Sequence, residues 1–304
     1  MAASYDIVIF ALVFSFSVLA VLANLMVMVV IARTSHLRIK YYAFVYNLIL
    51  ADLGFAVMGS IYPWNYMNST IEDLLQIFST VNALTVLAVA INRYLAMSLT
   101  PPSRYDALVT PVRLFVACLL MWCFAIGITI PQMFTADINS YNVFHAVVRS
   151  LLIIIIWLIT ALVYVVVFRK IKRYKPPLAD SAPIDPSSEQ SHSTRYRQTR
   201  RLLVTFSIIT AASLVCWIPA NVNILILYFK QDILRVMPGF RVYYGVALFV
   251  YSLNTLVDPL IYWWRLDDFR EALCAVVCCC RRKSRSSEVE TGVDNEVTIK
   301  DTAL

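Results

Sequence analysis

Seven stretches of this 304-residue chain are each long and apolar enough to form a membrane-spanning helix, which takes roughly 20 residues. They run approximately from Ile7 to Ala32, Tyr42 to Tyr62, Leu74 to Met97, Val112 to Phe134, Val147 to Phe168, Leu202 to Phe229 and Tyr243 to Trp264. Composition agrees: 60% of residues are hydrophobic and 15% charged, against about 25% charged in an ordinary soluble domain. The expectation is an all-α membrane protein, a seven-transmembrane helix bundle. The net charge of +7 does not point to nucleic acid, because it sits in the short connections between apolar runs, where it orients a membrane protein. Residues 1–6 lack a basic segment and the first apolar run is too long for a cleaved signal. They read as a short outer N-terminus ahead of a first span that stays.

The basic residues set the predicted orientation. With the N-terminus outside, Arg33, Arg38, Lys40, Arg93, Arg104, Arg113, the groups Arg169 to Lys175 and Arg195 to Arg201, and everything from Arg265 onward face the cytoplasm. Of 26 Lys and Arg, the outer side keeps Arg149, Lys230, Arg235 and Arg241. A plasma-membrane protein with its N-terminus out and C-terminus in follows. Residues from about Pro176 to Ser193, rich in proline and serine, read as a flexible cytoplasmic loop. Beyond the bundle (7–264), Asp267 to Val277 places Phe269, Leu273 and Val276 at helical spacing among charges, which predicts a short amphipathic eighth helix along the inner surface within 265–280. Residues 281–304 form a polar cytoplasmic tail, basic and serine-rich at its start, with no apolar periodicity, and are expected to be disordered.

Polar residues inside apolar spans are costly and need a partner or a purpose. Asp52, Asn24, Asn82, Asn254 and Asp258 are the strongest such intrusions, and Asn254 and Asp258, four apart, share a helix face. If these faces converge, two carboxylates cannot both stay ionised without a bound cation or a shared proton. Sodium suits the oxygen-rich set, and no covalent cofactor is expected. A hydrogen-bonded network that joins helices fits equally, and the two readings are compatible. Arg93 ends the third run, where it either anchors in headgroup water or swings inward to a partner. Pro219 beside Trp217, and Pro259 after Asp258, each break the backbone ladder of a span. Seven cysteines are present, none on the predicted outer side, so no structural disulfide is expected. His36, His145 and His192 do not group with membrane carboxylates, and no enzyme chemistry is visible.

The ordered set of Asn24, Leu48 with Ala51-Asp52, Asn92-Arg93-Tyr94, Trp122, Tyr164, Cys216-Trp217-Pro219 and Asp258-Pro259-Tyr262, spread over the spans, resembles the rhodopsin-like G-protein-coupled receptors. The resemblance implies that Asn92, Arg93 and Tyr94 contact a heterotrimeric G protein when the sixth span moves, and that Tyr164 and Tyr262 support that state. Trp217, next to Pro219, would sense ligand. Asp52, Asn82, Asn254 and Asp258 match the family's allosteric sodium site, and Phe269 the aromatic that seats the eighth helix.

Several positions depart from the family pattern. Asn68 or a neighbour stands where a cysteine usually joins the second outer loop, Ile156 where span five usually has proline, and Ser213 where a phenylalanine precedes the tryptophan. Neither Asn92 nor Arg195 to Arg201 supplies the acid that commonly restrains the arginine. The resemblance therefore implies ligand-free signalling that Asn92→Asp would lower.

Leu75 falls where amine receptors of the family carry an aspartate, and Ser252 where opsins carry a lysine. The pocket residues the resemblance implies are Leu75, Gln76, Ser79, Ala220, Asn221, Ile224, Tyr244, Leu248 and Ser252, a set that suits a small neutral or lipid-like ligand. Each could equally be a packing residue. Two rival readings stand beside the receptor: an ion or proton transporter using Asp52 and Asp258, although no internal repeat supports it, and a non-signalling scaffold.

The tail adds modification signals. Cys278, Cys279 and Cys280 precede Arg281-Arg282-Lys283, a placement that suits palmitoylation. Ser284, Ser286 and Ser287 are candidate phosphorylation sites for recruiting arrestin. Thr302 and Leu304 form a terminus of the kind that adds a strand to a PDZ domain. Asn68-Ser69-Thr70 is a glycosylation sequon close to a helix start.

Overall fold

The computed structural model describes residues 2–34, 43–65, 68–99, 102–133, 143–173, 186–230, 237–265 and 267–277. Its helices are α1 (Ala2–Arg33), α2 (Ala43–Ile61), α3 (Ser69–Ser98), α4 (Pro102–Leu108), α5 (Pro111–Met133), α6 (Arg149–Arg173), α7 (Pro186–Phe229), α8 (Pro238–Arg265) and α9 (Asp267–Val277). A 3-10 turn at Tyr62–Trp64 follows α2, and a single π turn, Phe144–Val148, leads into α6. Seven of these helices (α1, α2, α3, α5, α6, α7 and α8) contain segments long and apolar enough to cross a membrane. The chain is a multi-pass seven-helix membrane protein with a short helix, α9, packed on α1 and α8.

The burial pattern inverts that of a soluble protein. Val112 is 71% exposed, Leu158 65% and Leu22 58%, while Asp52, Asn82, Thr85 and Arg93 are buried. Apolar side chains on the outside and polar ones inside are what hydrocarbon solvent selects, since lipid rewards no burial of leucine and penalises every unpaired polar group. α3 carries the densest polar stripe, with Ser79, Thr80, Asn82, Thr85, Asn92 and Arg93 all buried. It accordingly takes the centre and touches α2, α5, α6 and α7, while α1 against α8 closes the ring. The end of the bundle that holds Arg93 is called the Arg93 end below, and the opposite end the Asn68 end.

Several boundaries differ from the sequence expectation, each for a local reason. α1 begins at Ala2, because residues 2–6 contain no helix breaker and continue the first span. α3 begins at Ser69 and not Leu74: the Asn68 side chain accepts from the backbone N–H groups of Thr70 and Ile71 at 3.0 and 3.4 Å, and Glu72 lies in the first turn, where negative charge suits the helix dipole. Residues 186–193, expected within a flexible loop, are helical and extend α7. Pro186 at the first helical position, followed by Glu189 and Gln190, is a helix-start order that the serine content masks. α4 is a further helix that a count of apolar runs does not foresee. α9 spans the expected amphipathic segment, with Phe269 and Ala272 buried and Arg270 and Glu271 exposed. Residues 176–185 and the tail from Cys278 onward lie outside the described residues, as do the palmitoylation, phosphorylation and PDZ-type signals.

Two asparagines join helices through bonds that the sequence implies only indirectly. Pro259 has no N–H, so the carbonyl of Thr255 loses its usual helical donor. Asn24 supplies one from α1, its Nδ2 donating to the Thr255 carbonyl at 2.8 Å and to that of Ala20 at 2.9 Å. Asn47 serves three helices: its Nδ2 donates to Thr85 Oγ1 on α3 at 2.7 Å, and its Oδ1 accepts from Trp122 Nε1 on α5 at 2.9 Å. Gly54 allows α2 to approach α3 closely, since a Cβ there would collide with the Phe78 ring. Replacing Asn24 with leucine should strand the Thr255 carbonyl and destabilise the protein by about 1–3 kcal/mol. A lowered melting temperature of the detergent-purified protein would register this, whereas an unchanged one would show that Asn24 does not hold α8.

Candidate functional site

A cavity of about 320 Å³ opens at the Asn68 end between α3, α7 and α8, within the range of small-ligand sites. Leu75, Gln76, Ala220, Asn221, Ile224, Tyr244 and Leu248 line it as the sequence suggests. Ser79 instead lines a smaller cavity beneath. Ser252 faces neither: its Oγ turns back on its own helix and donates to the Leu248 carbonyl at 3.0 Å, a common fate for serine in a membrane helix. Residues not foreseen also line the main cavity, chief among them Glu72, Tyr62, Asn223, Tyr228 and Tyr251. Glu72 was legible, because 72, 75, 76 and 79 follow the spacing of one helix face. The α3 reading that began at Leu74 left it in a loop. Glu72 adds a carboxylate to a wall that reads from the sequence as apolar or neutral.

The floor of the cavity is aromatic. Trp217 is buried, packs edge-on against Tyr251 with centroids 5.2 Å apart, and meets Trp157 at a tilt with centroids 6.0 Å apart. Tyr251 in turn meets Phe55 at 5.0 Å. Below this layer a cavity of about 10 Å³, near the minimum for a water or an ion, is lined by Asp52, Ser79, Asn82, Trp217, Tyr251 and Asn254. Asn82 Nδ2 donates to Asp52 Oδ1 at 2.7 Å. Asp52 Oδ2, Asn82 Oδ1, Asn254 Oδ1 and both oxygens of Asp258 are buried and, among the described residues, accept from no amide, hydroxyl or backbone donor, while the Asp52 and Asp258 carboxyls are close enough to share a proton. Asp258 lies within electrostatic reach of Asp52. The four residues proposed from sequence thus converge, and a cluster of buried, acceptor-only oxygens fits a hard cation.

At the other end Arg93 is 2% exposed, which overturns its reading as an anchor in headgroup water. Tyr164 lies within electrostatic reach of Arg93, and Tyr262 of Tyr164, both buried. Asn92 Oδ1 accepts from Tyr105 on α4 at 3.0 Å, and Tyr105 is fully buried. Tyr94 is partly exposed and carries Lys170 Nζ over its ring at 5.4 Å, while the same ammonium donates to Ser98 Oγ at 2.7 Å. Tyr105 and Lys170 are site neighbours that sequence motifs do not mark, because each acts through a fold contact distant from its partner in no motif-like way.

A ligand-sized cavity at one end of a seven-helix bundle, joined by buried polar groups to an arginine at the other, is the arrangement of a transmembrane receptor. Residues 23–262 match the family described as 7 transmembrane receptor (rhodopsin family), and the chain belongs to that family. Among curated relatives it is 24% identical to G-protein coupled receptor 3 of Mus musculus, covering 84% of this chain and 78% of that one. It is 22% identical to Melanocortin receptor 5 of Mus musculus, covering 86% and 81%, and 25% identical to Lysophosphatidic acid receptor 2 of Mus musculus, covering 97% and 88%. The fold matches the crystal structure of squid rhodopsin with a TM-score of 0.74 at 16% identity, over 98% of this chain and 93% of the other.

The Asn68 end, where the family's usual cysteine is missing, is tied by charge. Arg149 at the start of α6 and Asp73 in the first turns of α3 form an ion pair at 3.3 Å, 2% and 1% exposed. Arg149 also donates to Thr129 Oγ1 on α5 at 3.1 Å. Three helices meet on one guanidinium. Removing one partner from a buried pair costs about 3–5 kcal/mol, because the other charge is left uncompensated. Arg149→Met should therefore lower the melting temperature sharply, and Arg149→Met with Asp73→Leu should restore much of the loss. A single variant as stable as the parent would show that the pair does not hold this end.

Proposed function

We propose that this receptor sits in the plasma membrane with its N-terminus outside, takes a ligand in the 320 Å³ cavity and activates a heterotrimeric G protein at the Arg93 end. The observation that carries this reading is the role of Tyr251, a wall of both cavities that also packs on Trp217. A ligand that presses on Tyr251 or Trp217 acts on the Asp52 cavity directly, and Tyr262 lies within electrostatic reach of Asp52 and Asp258 below it. The path continues through Tyr164 to Arg93. Opening needs Pro219 to give α7 a place to bend. A ligand need only favour the open state by about 1–3 kcal/mol to shift its population usefully.

Sodium belongs to the same reading. Asp52, Asn82, Asn254 and Asp258 would hold it, its charge balancing the two carboxylates and favouring the closed packing of α2, α3 and α8. Palmitoylation at Cys278, Cys279 and Cys280, arrestin binding at the phosphorylated tail and a PDZ partner at Thr302 and Leu304 rest on sequence alone.

The restraint on Asn92 is a phenol, not a charge. Membranes carrying this chain should accelerate nucleotide exchange on a G protein without added ligand. Arg93→Ala should abolish that acceleration, Asn92→Asp should lower it and Tyr105→Phe should raise it. Exchange equal in parent and Arg93→Ala membranes would sink the coupling.

Sodium chloride should raise the melting temperature of the purified protein above that in equimolar potassium chloride, and Asp52→Asn should erase the difference. Equal melting in the two salts would leave the cluster as a hydrogen-bonded joint between helices.

A further inference from the structure

Leu75, standing where amine receptors of the family hold an aspartate, argues against an ammonium ligand. The cavity itself argues the other way. Glu72, three residues earlier on the same face of α3, lines it and is half-buried. Among the described residues it is the one charged side chain that lines the main cavity. The nearest acid in the chain, Asp73, is balanced by Arg149. Among the described residues no basic group forms an ion pair with Glu72. A carboxylate held in a low-dielectric wall beside a second acid gains more from a cation than one in water does.

The surrounding chemistry suits the same guest. Tyr62, within hydrogen-bonding reach of Glu72, joins Tyr228, Tyr244 and Tyr251 on the cavity wall, and the faces of phenol rings attract ammonium groups. Leu75, Ile153, Ile224, Leu227 and Leu248 supply an apolar wall for the rest of the ligand. Asn223 is the second pointer. It is 1% exposed, lines the cavity, and neither atom of its amide has a hydrogen-bond partner among the described residues. An amide buried with both atoms unsatisfied costs free energy that a bound polar group would recover. Arg149 does not line the cavity and is paired with Asp73, so among the described residues no basic side chain stands on the wall.

We propose that the cavity binds an organic cation, its ammonium on Glu72 among the tyrosines, its body on the apolar wall, and a second group that both donates and accepts, such as a hydroxyl, on Asn223. The inference rests on the receptor reading only in taking this cavity as the ligand site. It does not depend on G-protein coupling.

The test uses the full chain, purified in detergent, and measures binding by thermal stabilisation. The probes are phenethylamine, tyramine and tryptamine, each paired with the alcohol that replaces its ammonium: 2-phenylethanol, tyrosol and tryptophol. At least one amine should bind roughly 10- to 100-fold more tightly than its alcohol, the range expected of a charge-assisted hydrogen bond in a partly dry site. Glu72→Gln should remove that preference in a chain that still melts cooperatively and still binds the alcohols, and Glu72→Asp should keep part of it. Tyramine should bind more tightly than phenethylamine, and Asn223→Leu should close that gap. The proposal is overturned if no amine binds, if amines and alcohols bind alike, or if Glu72→Gln retains the preference. Equal binding of tyramine and phenethylamine to the parent would overturn the role given to Asn223. A chain that prefers amines yet fails to accelerate nucleotide exchange would remove the coupling and leave this site standing.

Discussion

Hydrocarbon offers no hydrogen bonds, so every polar group that enters the bundle must find its partner on another helix or on its own. Most of the architecture follows from where those partners are. Asn24 answers the carbonyl that Pro259 frees, and Asn47 ties three helices with one amide. Asn82 reaches Asp52 across the α2 and α3 contact, and Arg149 binds α6 to α3 and α5. Nearly all these bonds begin or end on α3 or a helix beside it, which is why α3 is central. Leucine and valine cannot select such an arrangement, because they are as content in lipid as against each other.

The same constraint places function. Among the described residues, buried polar atoms without a well-formed hydrogen bond are concentrated in the Asp52 cavity and along the path to Tyr262 and Tyr164. A joint with every bond satisfied would resist rearrangement; one with unsatisfied oxygens has more than one acceptable packing, and an ion or a ligand can choose between them. Tyr251 and Trp217 form the layer at which the two cavities meet. A small change in volume above this layer alters the space available below it, since the lower cavity has room for about one small guest.

Much of this was legible in the sequence. Seven apolar runs fix the class of fold, and Asp52, Asn82, Asn254 and Asp258 are conspicuous because charges and amides are rare at that depth. They do converge. What sequence misses are partners whose character is ordinary. Tyr105 looks like any loop tyrosine until α4 buries it against Asn92. Arg149 reads as one of the few basic residues on a predicted outer face, and Asp73 as an acid near a helix start; only the packing of α3, α5 and α6 makes them a pair. Ser252 shows the converse error: position along the helix suggested a pocket wall, but its hydroxyl had a nearer acceptor in its own backbone. Glu72 was lost through a boundary, because the first turn of α3 is capped by Asn68 rather than announced by apolar residues.

The ion pair between Arg149 and Asp73 also bears on how the receptor is made. A cross-link of sulfur at this end would require an oxidant, and would form only where the compartment provides one. Here the three helices are joined at the Asn68 end by charges that pair as soon as the helices meet, and the cysteines of this chain lie elsewhere, within the spans or toward the opposite end. Among the described residues, the contacts that join this end involve no thiol. What acts on such a joint is charge and not redox state, since removing either partner leaves the other uncompensated.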